Sequence, residues 1–473
     1  MVSDLPLSSA GDIAAGVSAG HFSAREVVNM FLARIARMNP ALNAFTAVLA
    51  ERATARAAHI DAQLARGKKP GRLAGVPFAV KNLFDICGLP TLAGSAINAD
   101  HAPARDDALL IRRLEAEGAI LIGALGMGEY AYDFTGENAH YGNCANPWDT
   151  ARMSGGSSSG SGSALGGTLV PLALGSDTNG SIRVPASFCG IFGLKPTYGR
   201  LPRSGTYPFS DSLDHLGPMA RTSRDLALAF DVMQGYSNSD HACADRPALD
   251  CIGALERGLE NLRIRRAGGY FSLESYPPAA RAVDKVCRAL NCTSEVEIPG
   301  TQEGRCAAYL ITNVEGSRLH LPRLRTRPQD FDPDTRDRFI AGALLPASWY
   351  ARAQQVRHWY ARKAAEVFRD VDVIVAAATP CVAPRMGEKI LTIQGEAQPL
   401  RANLGYFTQP ISAAGLPSCV VPTLDEESGL PIGVQIIAAP WREDLCLRVA
   451  FALETRGFTA REPDALGKEL AAV

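Results

Sequence analysis

Residues 154–167 read SGGSSSGSGSALGG, and the apolar run TLVPLALG and the loop SDTNGSIRVPASFCG come next without a break. Two loops of small residues therefore flank one helix-forming stretch and one strand-forming stretch. Glycine in such loops permits backbone conformations that turn successive amide N–H groups outward, and a row of exposed amides makes a cavity for negative charge. Read alone, 154–167 is a flexible Gly/Ser linker. Its setting between apolar elements points instead to a packed turn beside a site for an oxyanion.

The surrounding text alternates helix and strand signals. Ser23 followed by Glu26 is a capping box, and Val27, Val28, Phe31, Leu32 and Ile35 recur at helical spacing, which predicts a helix over 24–38. An Ala-rich helix is expected over 49–66, then a short buried strand over 75–80 that ends at Lys81. A helix over 106–117 stops at Gly118 and leads into an apolar strand over 119–123. The order repeats with a helix near 161–167 and a strand at 169–175. Further strands are expected at 371–378, 418–421 and 432–437, and a last helix at 443–456. Alternation of this kind favours an α/β sheet covered by helices. Between 236 and 370 the text turns to Arg-rich helical patches and Pro-containing turns such as PRLRTRPQDFDPD, read as a helical cap that shapes a substrate pocket. No repeat or linker divides the chain, so 1–473 is read as one domain carrying that insertion.

Composition narrows the partners. The 48 basic and 49 acidic residues nearly cancel, which argues against nucleic acid, and no apolar run reaches the roughly 18–20 residues that span a bilayer. The start, MVSDLPLSSAGDIAAGV, lacks a basic region followed by an apolar core, so a cytoplasmic setting is expected. The eleven cysteines contain no C-x-x-C pair and read as reduced, mostly buried thiols. Neither they nor His140 and the other histidines have metal-ligand spacing; no metal or other cofactor is expected.

Three motifs compete for the glycines of 154–167. A phosphate-binding loop needs Gly-Lys-Ser/Thr, which is absent. A dinucleotide fingerprint needs G-x-G-x-x-G straight after a strand, but Gly160, Gly162 and Gly166 are wrongly spaced and come after the polar NPWDTARM. The segment 156–160 does satisfy G-x-S-x-G with Ser158 at its centre, the nucleophile elbow, although the strand that should precede it is missing.

The strings GGSSSGS (155–161), DTNGSIRVPASFCGIFGLKPTYGR (177–200) and SLDHLGPMARTSRD (212–225) resemble the amidase-signature enzymes. The likeness extends upstream to LAGVPFAVKNLFDICGLPTLAGS (73–95) and downstream to FTQPISAAGLPSCVVP and GLPIGVQIIAAP, leaving 236–370 uncovered. It implies an α/β fold with a large mixed central β-sheet covered by helices on both faces. It also implies that Ser181 is the nucleophile, Ser157 the relay serine with a cis peptide, and Lys81 the general base. The backbone amides of Thr178, Asn179, Gly180 and Ser181 would then face the oxyanion.

Chemistry makes sense of these residue types. A serine hydroxyl needs a base, and lysine serves only when neutral, so Lys81 must be buried. Lowering its pKa from ~10.4 toward ~7–8 corresponds to roughly 3–5 kcal/mol against the charged form. Asp177, Arg183 and Arg152 are read either as supports of these loops or as plain surface ion pairs. Ala131 and Tyr132, within 129–135, are expected to line the pocket with the 236–370 cap, from which an arginine could hold a carboxylate.

One departure from the family pattern is Asn179, where glycine is usual; asparagine tolerates a left-handed backbone better than other non-glycine residues, so the amide cavity is expected to survive. GMGEYAYDFTGEN and GSDTNGSIRVPAS are most similar to the biuret-pathway branch, which acts on small nitrogen-rich carboxylated amides. That likeness implies a small-molecule amide substrate, a homodimer, and a partner in the form of a small accessory subunit. The competing reading within the family is the glutaminase subunit of a tRNA-dependent amidotransferase, or a general aliphatic or aryl amidase. Val184 counts against the glutaminase, which usually carries glutamine between the arginine and the Pro-Ala pair.

Overall fold

The structure, a computed structural model, describes residues 7–393 and 395–463. The first six residues of the N-terminal stretch behind the cytoplasmic expectation lie outside them. Eleven strands form one mixed sheet. In spatial order they are Phe45–Val48, Ile120–Leu125, Pro77–Lys81, Leu172–Asp177, His215–Ala220, Phe192–Lys195, Ser418–Leu424, Pro431–Ala438, Val373–Ala377, Ile264–Ala267 and Glu295–Val296. Helices cover both faces; Ser159–Gly166 packs on Pro77–Lys81 and Leu172–Asp177, and Glu443–Glu454 on Ser418–Leu424 and Pro431–Ala438.

Local chemistry sets the element ends. The capping box forms as expected, with Glu26 N donating to Ser23 Oγ at 3.1 Å and Ser23 N to the Glu26 carboxylate at 2.7 Å. That helix runs on to Leu42, where Asn43 turns left-handed at φ 48°. The helix expected over 106–117 starts at Leu109. Asp107 is used instead to accept from Arg52 and from the Cys87 amide, and Ala108 N donates to Asp85 O. The strand expected at 169–175 is Leu172–Asp177, since Thr168 is left-handed at φ 55° and Pro171 has no N–H to give a ladder.

The 236–370 segment holds four long helices, Pro277–Ala289, Thr301–Thr326, Pro333–Ala343 and Ala347–Val367. It also does something not expected of a cap: Ile264–Ala267 and Glu295–Val296 extend the central sheet, the first pairing in parallel with Val373–Ala377. The strand signal is hidden in the sequence because Arg265 and Arg266 stand between the buried Ile264 and Ala267.

Pro77–Lys81 and Leu172–Asp177 are adjacent and parallel, with Val80 opposite Leu174, so both chains leave the sheet at the same edge. In open sheets, ligands bind beyond the carboxyl ends of parallel strands.

Candidate active site

Lys81 is the last residue of its strand and is wholly buried. Its Nζ lies 2.7 Å from Ser157 Oγ and 2.9 Å from Ser176 Oγ, both buried. Burial pushes the amine down to about 7; the carboxylates of Asp177, Asp214 and Asp133 offset only part of this. The contact with Ser157 was expected. Ser176 was missed, and its signal is its place on the adjacent parallel strand, just past the residue opposite Val80.

The Gly/Ser run is a packed element. All eight residues of the helix Ser159–Gly166 are buried. A Cβ on Gly160 would come within 2.4 Å of the Ala44 carbonyl oxygen, and one on Gly162 within 2.9 Å of Pro185. Small residues let the loop before this helix sit under the sheet edge, with a cis peptide between Gly156 and Ser157. Ser158, the centre of the competing elbow motif, stands just before the helix with its hydroxyl tied to the neighbouring strand, donating to Ser176 O at 3.1 Å and accepting from Ser176 N at 3.2 Å. It is thereby occupied in backbone contacts.

Ser181 stands in the loop after Leu172–Asp177, and its carbonyl accepts from Ser158 N at 3.2 Å, which ties the two loops together. Its hydroxyl has no hydrogen bond among the described residues, nor do the amides of Thr178, Asn179, Gly180 and Ser181 find an acceptor there. The left-handed position of this loop is Gly180, at φ 141°; Asn179 is not among the positive-φ residues. The tolerance of asparagine for a left-handed backbone is therefore not called on at Asn179: glycine carries the turn, and asparagine contributes a side chain.

Asp177 and Arg183 form a fully buried, two-pronged ion pair, Nε to Oδ2 and Nη2 to Oδ1, both 2.9 Å. Burial alone would raise the Asp177 carboxyl, but Arg183 holds it well below the usual carboxylate range. Asp177 also accepts from Ile182 N at 3.2 Å, while Arg183 donates to Thr408 O, Gln435 Oε1 and Ser412 Oγ. The 177–183 loop is in this way clamped to the C-terminal segment, which also supplies Thr408 Oγ1 as donor to Asn179 O at 2.7 Å. Arg152 behaves differently. It sits on the small hairpin strand Asp149–Met153, part-exposed, bonded to Asp149 and to Ala383 O, and the structure does not bring it to these loops.

A narrow cavity opens on Ser181, lined by Ala131 and Tyr132 as expected, and by Asn179, Thr312, Arg338 and Gln409. Tyr130 and Ala131 are consecutive left-handed residues, φ 49° and 60°, a strained turn of the sort found at functional sites. Arg338, from the helix Pro333–Ala343, lies 3.4 Å over the Tyr132 ring and donates to Tyr132 O at 2.8 Å; among the described residues it has no carboxylate partner.

A buried lysine with a lowered pKa against a serine, together with a loop of unpaired amides beside a cavity, is an arrangement suited to hydrolysis of an amide. The model of the Amidase family matches residues 26–447, and the chain belongs to that family. More particularly, it is 50% identical to the AtzE component of the 1-carboxybiuret hydrolase of Pseudomonas sp. (strain ADP), across 94% of this chain and 98% of that one. It is 39% identical to a glutamyl-tRNA(Gln) amidotransferase component of Anaeromyxobacter dehalogenans (strain 2CP-C), across 93% and 94%. Among solved structures, an s-triazine catabolic enzyme described in a vestigial protein complex superposes with a TM-score of 0.95 at 50% identity, covering 96% of this chain and 100% of that one. A 6-aminohexanoate cyclic dimer hydrolase complexed with substrate gives 0.86 at 27%, covering 98% and 100%.

Proposed function

We propose that this chain hydrolyses a terminal C–N bond of a small carboxylated urea-type amide, 1-carboxybiuret or a close analogue, releasing ammonia through an acyl-enzyme on Ser181. The observation that carries this reading is the 2.7 Å contact between Ser157 Oγ and a Lys81 amine whose pKa lies at about 7. A neutral amine donates an N–H to Ser176 Oγ and accepts the Ser157 O–H on its lone pair. As Ser181 Oγ attacks the carbonyl, its proton passes to Ser157 and that of Ser157 to Lys81. The amides of 178–181 stabilise the oxyanion. The proton on Lys81 returns through Ser157 to the leaving nitrogen, ammonia departs, and water then attacks the ester with the same relay accepting its proton.

Arg338 supplies the reading of the substrate as an anion. Its guanidinium is stacked on Tyr132 at the cavity wall with no carboxylate partner among the described residues, which suits bidentate capture of a ligand carboxylate. The glutaminase reading is disfavoured by Val184, which is buried in an apolar cluster with Phe134, Met153 and Phe188, where a glutamine would need a polar partner.

The proposal includes a homodimer with a small accessory subunit, supported by the similarity to a structure described as a protein complex and by the exposed Leu344 and Trp349. It includes a cytoplasmic setting, in which eleven free cysteines persist. No helix among the described residues is long and apolar enough to cross a membrane.

The test is ammonia release from biuret, carboxylated biuret analogues, malonamate, glutamine and aliphatic and aryl amides, by wild type and Ser181→Ala. The expected result is highest kcat/KM on carboxylated biuret analogues and loss of turnover in the variant. Activity confined to glutamine would contradict the substrate.

A further inference from the structure

We infer that Asn179 selects acyl groups bearing an N–H on the atom next to the scissile carbonyl, accepting that N–H on its side-chain oxygen. The inference rests on the reading of Ser181 as nucleophile and concerns which substrate is presented to it.

Asn179 stands two residues before Ser181, lines the cavity over it, and is 7% exposed. Its amide orientation is fixed by bonding logic. The Thr312 hydroxyl has one proton, and this goes to the Ala308 carbonyl one turn back in the helix Thr301–Thr326, at 2.7 Å. Thr312 Oγ1 can then only accept, and Asn179 donates Nδ2 to it at 2.9 Å. The oxygen is therefore the free end, and Oδ1 is buried with no donor among the described residues. Buried polar atoms are rarely left so, because an unmade hydrogen bond is expensive; a ligand donor that reaches the oxygen relieves a penalty the free enzyme already carries.

The Asp133 carboxylate in the cavity wall is already engaged, accepting from Thr135 N and Oγ1, Gly136 N and Arg401 Nη1. Gln409 Oε1 is taken by Arg305 Nε at 2.8 Å, and Arg338 and the loop amides are donors. A ligand that satisfies all of these carries oxygens toward the amides and the arginine, and an N–H beside the carbonyl attacked by Ser181. A ureido group has that pattern; an alkyl amide does not.

Biuret and malonamide form the matched probe, since they differ only in NH against CH2 at this atom. Affinities for both are measured by calorimetry with Ser181→Ala, alone and combined with Asn179→Gly or with Thr312→Val. Thr312→Val frees the amide to rotate and lies outside the nucleophile loop, so it decides the matter if the glycine variant fails to fold. The expected preference for biuret is about 10- to 100-fold with Asn179 and Thr312 intact, falling to within about 3-fold in either combination. An unchanged preference, or no measurable binding of biuret, overturns the inference. Residual turnover by Ser181→Ala would instead overturn the nucleophile reading, so the two fail separately.

Discussion

Lys81 and Asp177 end adjacent parallel strands at one edge of the sheet, and their surroundings drive them to opposite charge states: burial brings the Lys81 amine down to about 7, while Arg183 keeps Asp177 ionised. A base and a fixed anion thus coexist within one buried cluster.

The pH dependence comes from the Lys81 half. In the proposed relay the neutral amine is the active form, so kcat/KM should rise with pH through an apparent pKa of about 7 and level off above it. Two units below that value, activity should be about 100-fold lower, the neutral fraction falling tenfold per unit. A flat profile from pH 5 to 8 would contradict a lysine base.

Arg183 and Arg152 offer a contrast. Arg183→Met leaves the fully buried Asp177 without its partner and should cost about 3–5 kcal/mol, read as a lower denaturation midpoint. Arg152→Gln removes a part-exposed pair with Asp149 and one bond to Ala383 O and should cost about 1–2 kcal/mol with kcat unchanged. Equal effects would refute the division between a buried clamp and a surface pair.

Gly180 tests the amide loop. A Cβ there would lie 2.2 Å from Thr408 Oγ1, at a φ of 141° that side chains avoid. Gly180→Ala should therefore displace the oxyanion donors and lower kcat about 100-fold or more with the fold retained, as judged by circular dichroism. Retention of wild-type kcat would mean that these amides do not face the reaction.

Much of this was legible in order along the chain. The capping box at Ser23 and Glu26, the buried strand ending at Lys81 and the lysine's contact with Ser157 can be read from local pattern and a family likeness. What could not be read is what tertiary pairing supplies. Ser176 meets Lys81 only through strand register, and Ile264–Ala267 joins the sheet although its central arginines hide the period. Arg338 was one of many arginines in its segment until the helix Pro333–Ala343 placed it over Tyr132. Arg152 and Arg183 looked alike in sequence, and only burial separates them.

The central claim is acylation of Ser181 driven by Lys81, and quenched-flow mass spectrometry with a slowly hydrolysed aryl amide measures it directly. A covalent acyl adduct is predicted on the peptide containing Ser181. No adduct is predicted in Ser181→Ala, and formation should be about 100- to 10,000-fold slower in Lys81→Ala. An adduct on Ser158 or elsewhere, or an unchanged acylation rate without the lysine, would contradict this mechanism.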